Sequence, residues 1–134
     1  MKAPIALDLV WDRELVFSGR SGDASIVLDS AGVAGPSPVQ TLAFAIAGCM
    51  GMDVVHILRK ARQDLRGVTI HLVAERAQDD PHRLTAVTME FALTGAILES
   101  QIQRAIDLSR DKYCSVWHSL RQDIRLDTRI RIQA

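Results

Sequence analysis

The sequence carries no net charge: 16 Lys and Arg are matched by 16 Asp and Glu. That balance excludes the electrostatic footprint of a nucleic-acid binder or a polybasic membrane-surface protein. Cysteine is scarce, with 2 among 134 residues, which excludes a disulfide framework. Long apolar runs are absent too. The most apolar stretch, Leu42 to Met52, stops short of the roughly 20 residues that cross a bilayer. The opening "MKAPIALDLVWDRE" lacks the uninterrupted apolar segment of a signal peptide. The protein is therefore expected to be cytoplasmic, without nucleic-acid or membrane partners. In that compartment two cysteines are read as buried thiols or as a redox pair, not as a permanent disulfide. No repeat, low-complexity segment or linker interrupts the chain.

What is present suits a single domain over residues 1–134, with 48% hydrophobic residues and length enough to bury a core unaided. "IALDLVW" alternates, with Ile5, Leu7, Leu9 and Trp11 on one face, and "ELVFSG" and "SIVLD" follow as strands around the turn "RSGD". A long helix starts after "SAGVAGPSP": Ser37 and Gln40 form a capping box with Pro38 at the first helical position, and Gly67 reads as the terminator. "VTIHLVAERA" and "LTAVTMEFALTG" form a hairpin, the second aligning Thr85, Val87, Met89, Phe91 and Leu93. Helical spacing returns at Ile102, Ala105, Ile106, Ser109 and Tyr113, then in "CSVWHSLRQD", and "IRLDTRIRI" closes the chain as a strand. The order βββ-α-ββ-α-α-β predicts a mostly antiparallel α+β domain. The first half of the long helix is apolar on every side, so burial on every side is expected. A small sheet covers one side only, and a second copy of the chain is expected to cover the rest.

Cys49 lies inside that helix, beside Gly48 and two residues before Gly51. An unperturbed thiol is only about 3% thiolate at neutral pH. A guanidinium within about 4 Å, at an effective dielectric near 20, contributes roughly 4 kcal/mol, enough to make the thiolate dominant. Asp53, one turn on and about 6 Å away, opposes it. His56 is two turns away, so the cation must come from elsewhere. Arg20, in the glycine-flanked turn "FSGRSGD", is the candidate; the alternative is a solvated turn arginine. Cys114, in "KYCSVWHSL", lies where one helical piece gives way to the next. There backbone N–H groups favour a thiolate, and His118 is near enough in sequence to exchange a proton. The alternative is a buried structural cysteine. Cys49, His56, Cys114 and His118 are zinc-compatible types, but their spacing matches no paired ligand motif, and no metal is expected.

The segments "GPSP…GC…DVVHILRKARQDL", "ER…DDPHRLT" and "DLSRDKYCSV" resemble the OsmC/Ohr family of thiol-dependent hydroperoxide reductases, most closely its OsmC-like, YhfA-type branch. The resemblance runs from about Trp11 to Ile132. It implies an intertwined homodimer, its sheets wrapped against long central helices and its active sites at the dimer interface. It implies that Cys49 is peroxidatic, that Cys114 resolves the sulfenate as a disulfide, and that Arg20 activates. A thiol reductant, lipoyl-type in the best-known branch, then restores the enzyme, with no bound cofactor. Gly48 and Gly51 let a helix or substrate approach the thiol, and Phe44, Met50, Met52 and Trp117 supply an apolar surround that favours organic hydroperoxides. The family's catalytic acid falls at Gln40 in one register and Val39 in the other, and neither is acidic. Gln40 is left as a binding residue or simply as a cap. The expected function is a cysteine-based peroxidase for organic hydroperoxides in oxidative-stress defence. The alternative, set by the missing acid, is a non-catalytic small-molecule binding protein on the same fold.

Overall fold

The computed structural model describes residues 2–134. The chain divides into two compact units, Met1–Phe44 and Ala45–Ala134. The first holds a three-stranded antiparallel sheet, β1 (Asp8–Arg13), β2 (Val16–Ser21) and β3 (Ala24–Asp29), in that spatial order. Three strands were expected here, and the first begins three residues later than its alternation suggested, at Asp8 rather than Ile5. Arg20 differs: it is a strand residue, opposite Asp8 and Ser25, and the turn itself is Gly22–Asp23. With φ of 59°, Gly22 supplies the left-handed residue that this tight turn requires. After β3, the buried Asp29 carboxylate accepts hydrogen bonds from the N–H groups of Ala31, Val33 and Ala34. Those donors, Ala34 foremost, hold its carboxyl below the usual carboxylate range. One side chain thus organises the glycine- and serine-rich loop leading to the long helix.

That helix, α1 (Pro38–Lys60), begins with the expected capping box. Gln40 N–H donates to Ser37 Oγ at 3.1 Å, and Gln40 Oε1 accepts from Ser37 N–H at 2.9 Å. It ends seven residues before Gly67. Arg62 adopts φ 58°, its N–H donates to Arg59 O, and Gln63 N–H donates to Leu58 O at 3.0 Å. This is a Schellman termination with arginine in glycine's usual place. Gly67 instead sits at a register shift in β4 (Asp64–Arg76).

In the second unit β4 pairs antiparallel with β5 (Leu84–Ala96), and β5 pairs parallel with β6 (Arg125–Gln133). A parallel pair needs a crossover. Here it is α2 (Glu99–Leu108), a π-helical turn (Ser109–Tyr113) and the short α3 (Ser115–His118). Val87, Met89, Phe91 and Leu93 of β5 are fully buried, as are Ile102, Ala105 and Ile106 of α2. On α1 the row Ile46, Met50, Val54 and Leu58 is fully buried, four positions at the spacing of one helix face. Gly51 makes the helix's close approach to the sheet: a Cβ there would lie 2.6 Å from Ile70 Cδ1.

Burial on every side of the first half does not hold within one chain. Phe44 is 70% and Met52 74% exposed, because the sheet reaches only one face of the helix. The helix as formed has 23 residues and, by length and composition, could cross a membrane, which the shorter run Leu42–Met52 could not. Its buried row nonetheless packs within the protein.

Candidate functional site

Cys49 and Cys114 are neighbours. The Cys114 thiol is fully buried, and Cys49 lies near enough to tighten its hold on its proton. One helical turn along α1 the pattern repeats: Ser109 Oγ donates to Asp53 Oδ2 at 2.7 Å. Cys49 and Asp53 are four apart on α1, hence stacked on one face. Ser109 and Cys114 are five apart, a spacing that an α-helix would rotate out of line. The π-helical turn restores alignment: Cys114 N–H donates to Ser109 O at 2.8 Å, closing the wider ring. The crossover and α1 therefore run antiparallel here, with Cys114 over Cys49 and Ser109 over Asp53.

The same extra residue explains a misplacement. Tyr113 was expected on the buried face with Ser109, yet it is 50% exposed while Cys114 is fully buried. The wider turn moves the face by one residue.

Cys114 has four influences on its proton. Burial pushes the thiol up most strongly; the Trp117 N–H, 3.3 Å from the sulfur, pulls it down; Cys49 and the Asp53 charge push it up again. The result is a rise from the ordinary 9.0 to about 11. The expectation that a helix start favours a Cys114 thiolate therefore fails: one N–H of a four-residue helix does not offset desolvation. His118 does not serve Cys114 either. Its Nε2 lies 2.9 Å from Arg110 O, and the ring is exposed. Asp53 is paired with a neutral hydroxyl, with no cation within salt-bridge distance among the described residues.

Of the expected apolar surround, Met50 is fully buried and Trp117 is 5% exposed, both in the same unit as the thiols. Phe44 and Met52 present their side chains to solvent. Gly51 is filled by the sheet, whereas a Cβ on Gly48 would meet nothing within 4 Å. In the first unit Arg20 is exposed on β2 and lines, with Asp8 and Ser25, a shallow cavity of about 550 Å³. Gln40 is occupied by its cap. Ser109 is a site residue that the sequence marked only as part of a helix face; its signal was the polar residue in an otherwise apolar stripe.

The fold is thus an α+β chain whose crossover brings the buried Cys114 beside Cys49 of the long helix. The comparisons make this particular: residues 29–129 match the family of OsmC-like proteins, and the chain belongs to that family. It is 38% identical to Protein YhfA of Escherichia coli K12 over 109 residues, covering 79% of this chain and 81% of that one. A hypothetical protein of Aquifex aeolicus VF5 superposes with TM-score 0.90 at 26% identity, over 98% of both chains. An organic hydroperoxide resistance protein OsmC of Legionella pneumophila superposes with TM-score 0.67, also over 98% of both. At 13% identity that last likeness is one of fold alone.

Proposed function

We propose that the protein is a cysteine-based peroxidase that reduces organic hydroperoxides, with Cys49 peroxidatic and Cys114 resolving. The observation that carries this reading is that the crossover brings the buried Cys114 thiol beside Cys49, one turn along α1 from the Ser109–Asp53 hydrogen bond. Burial alone accounts for one inert thiol; it does not account for a second one beside it on a separate element. The Cys49 thiolate attacks the outer peroxide oxygen, the O–O bond breaks, and the alkoxide leaves as an alcohol after taking a proton. Cys49 is then a sulfenic acid, the reversible first stage of cysteine oxidation. The Cys114 sulfur attacks the Cys49 sulfur, a disulfide forms, and the hydroxyl departs with the Cys114 proton as water. A thiol reductant, lipoyl-type by family likeness, returns both thiols. Arg20 is the proposed activating cation; Trp117 and Met52 are proposed to line the substrate path, with Phe44. A homodimer, acting in the cytoplasm in defence against oxidants, completes the reading.

The second reading is a binding protein with little or no turnover. It is favoured by Val39 and Gln40 standing at the position of the acid, and by Gln40 being engaged in its capping box. Reductant-dependent consumption of cumene hydroperoxide separates the two. Turnover by the wild type, lost in Cys49→Ser and strongly slowed in Arg20→Gln, is the expected result. Equal and negligible consumption by wild type and Cys49→Ser favours the binding protein.

A further inference from the structure

A second cavity, of about 710 Å³, opens between the C-terminal half of α1 and the α2–π segment. Its volume is that of a small-molecule site. Its walls are apolar at Ile57 and Leu108 with the Tyr113 ring, and its polar groups are unevenly placed. Lys60 and Arg104 line it, and among the described residues neither has a carboxylate partner. Asp53 lines it too, already holding the Ser109 hydroxyl. On α1, Asp53 and Lys60 are seven residues apart, or about 10 Å along the axis. Arg104 precedes Ser109 by five residues on the antiparallel crossover, so it lies toward the Lys60 end. The cavity is thus cationic at one end and acidic at the other, with the apolar Ile57, Ala61 and Leu108 and the His56 ring between.

We propose that this cavity binds a small amphiphile with one terminal carboxylate and an apolar body about 10 Å long, the carboxylate held between Lys60 and Arg104. An arginine fork and an ammonium without acidic partners are a matched pair for a carboxylate. The Asp53 charge at the far end disfavours a second anionic group, which selects a monoanion over a polyanion. The apolar walls give the chain of such a ligand a contact that a free inorganic anion cannot use. The site shares Asp53 with the surroundings of Cys114, and its binding of a ligand does not depend on the peroxide chemistry.

The test is a titration of the full-length ¹⁵N-labelled protein with sodium octanoate, followed by amide shifts. Parallel titrations use 1-octanol (chain without charge) and inorganic phosphate (charge without chain). Octanoate is expected to give saturable shifts centred on Ile57, Ala61 and Leu108. Octanol and phosphate are expected to bind at least about tenfold more weakly, as is octanoate to the Lys60→Gln/Arg104→Gln double variant. Arg129→Gln, on β6, should bind octanoate as the wild type does. Absence of saturable shifts, equal binding of octanol, or an undiminished double variant overturns the proposal. Should the double variant fail to fold, the comparison of octanoate with octanol on the wild type decides alone.

Discussion

Cys114 is the residue whose chemistry the surroundings change most. Buried and facing both Cys49 and Asp53, it keeps its proton, with its thiol pushed up to about 11. A thiol that stays protonated can donate to a neighbouring sulfur and does not compete with it as a second anion. The consequence for stability has a definite sign. The folded state holds this proton more tightly than the unfolded chain does. The stabilisation is therefore complete below the ordinary value of 9.0 and is lost as pH rises from there through about 11. In Cys49→Ser, burial still dominates, so ultraviolet thiolate absorbance is expected to show Cys114 titrating above 9.0. A midpoint at or below that value contradicts the packing described around it.

At the scale of elements, the sequence was most legible where one residue type has one meaning. Ser37 and Gln40 announced the start of α1, and both reciprocal hydrogen bonds formed. Val87, Met89, Phe91 and Leu93 announced the buried face of β5, and all four are fully buried. It was least legible where backbone geometry departs from the usual residue. Arg62 in the left-handed region ended the helix that Gly67 was expected to end. No side-chain pattern marks a π-helical turn, so the pairing of Ser109 with Asp53 and the exposure of Tyr113 came from the backbone alone. The two cysteines were legible as a pair through family likeness; their nearness depends on that turn. The capping box carries its own prediction. Gln40→Ala removes one half of it and is expected to cost about 1 kcal/mol or less, read as a lower melting temperature, with the rate of peroxide reduction unchanged. A large loss of rate at unchanged stability would make Gln40 a participant in the chemistry instead.

For the whole molecule, each unit leaves apolar surface that it cannot bury itself. Every residue of β1 is exposed, with Leu9 at 47% and Trp11 at 65%, and on α1 Met52 is at 74%. Gly48 leaves the helix surface bare beside Cys49. Surfaces of this kind are characteristic of chains completed by another copy. Light scattering at micromolar concentration should give twice the 14.8 kDa chain mass. A monomer with a cooperative unfolding transition would contradict the homodimer. Cys49 and Cys114 are proposed to act as a redox pair. One equivalent of organic hydroperoxide, followed by thiol counting and mass spectrometry, tests it most directly. The expected products are a disulfide between Cys49 and Cys114 within one chain of the wild type, and a trapped Cys49 sulfenate in Cys114→Ser. Two free thiols after excess hydroperoxide would contradict it and leave a family member that binds without reducing.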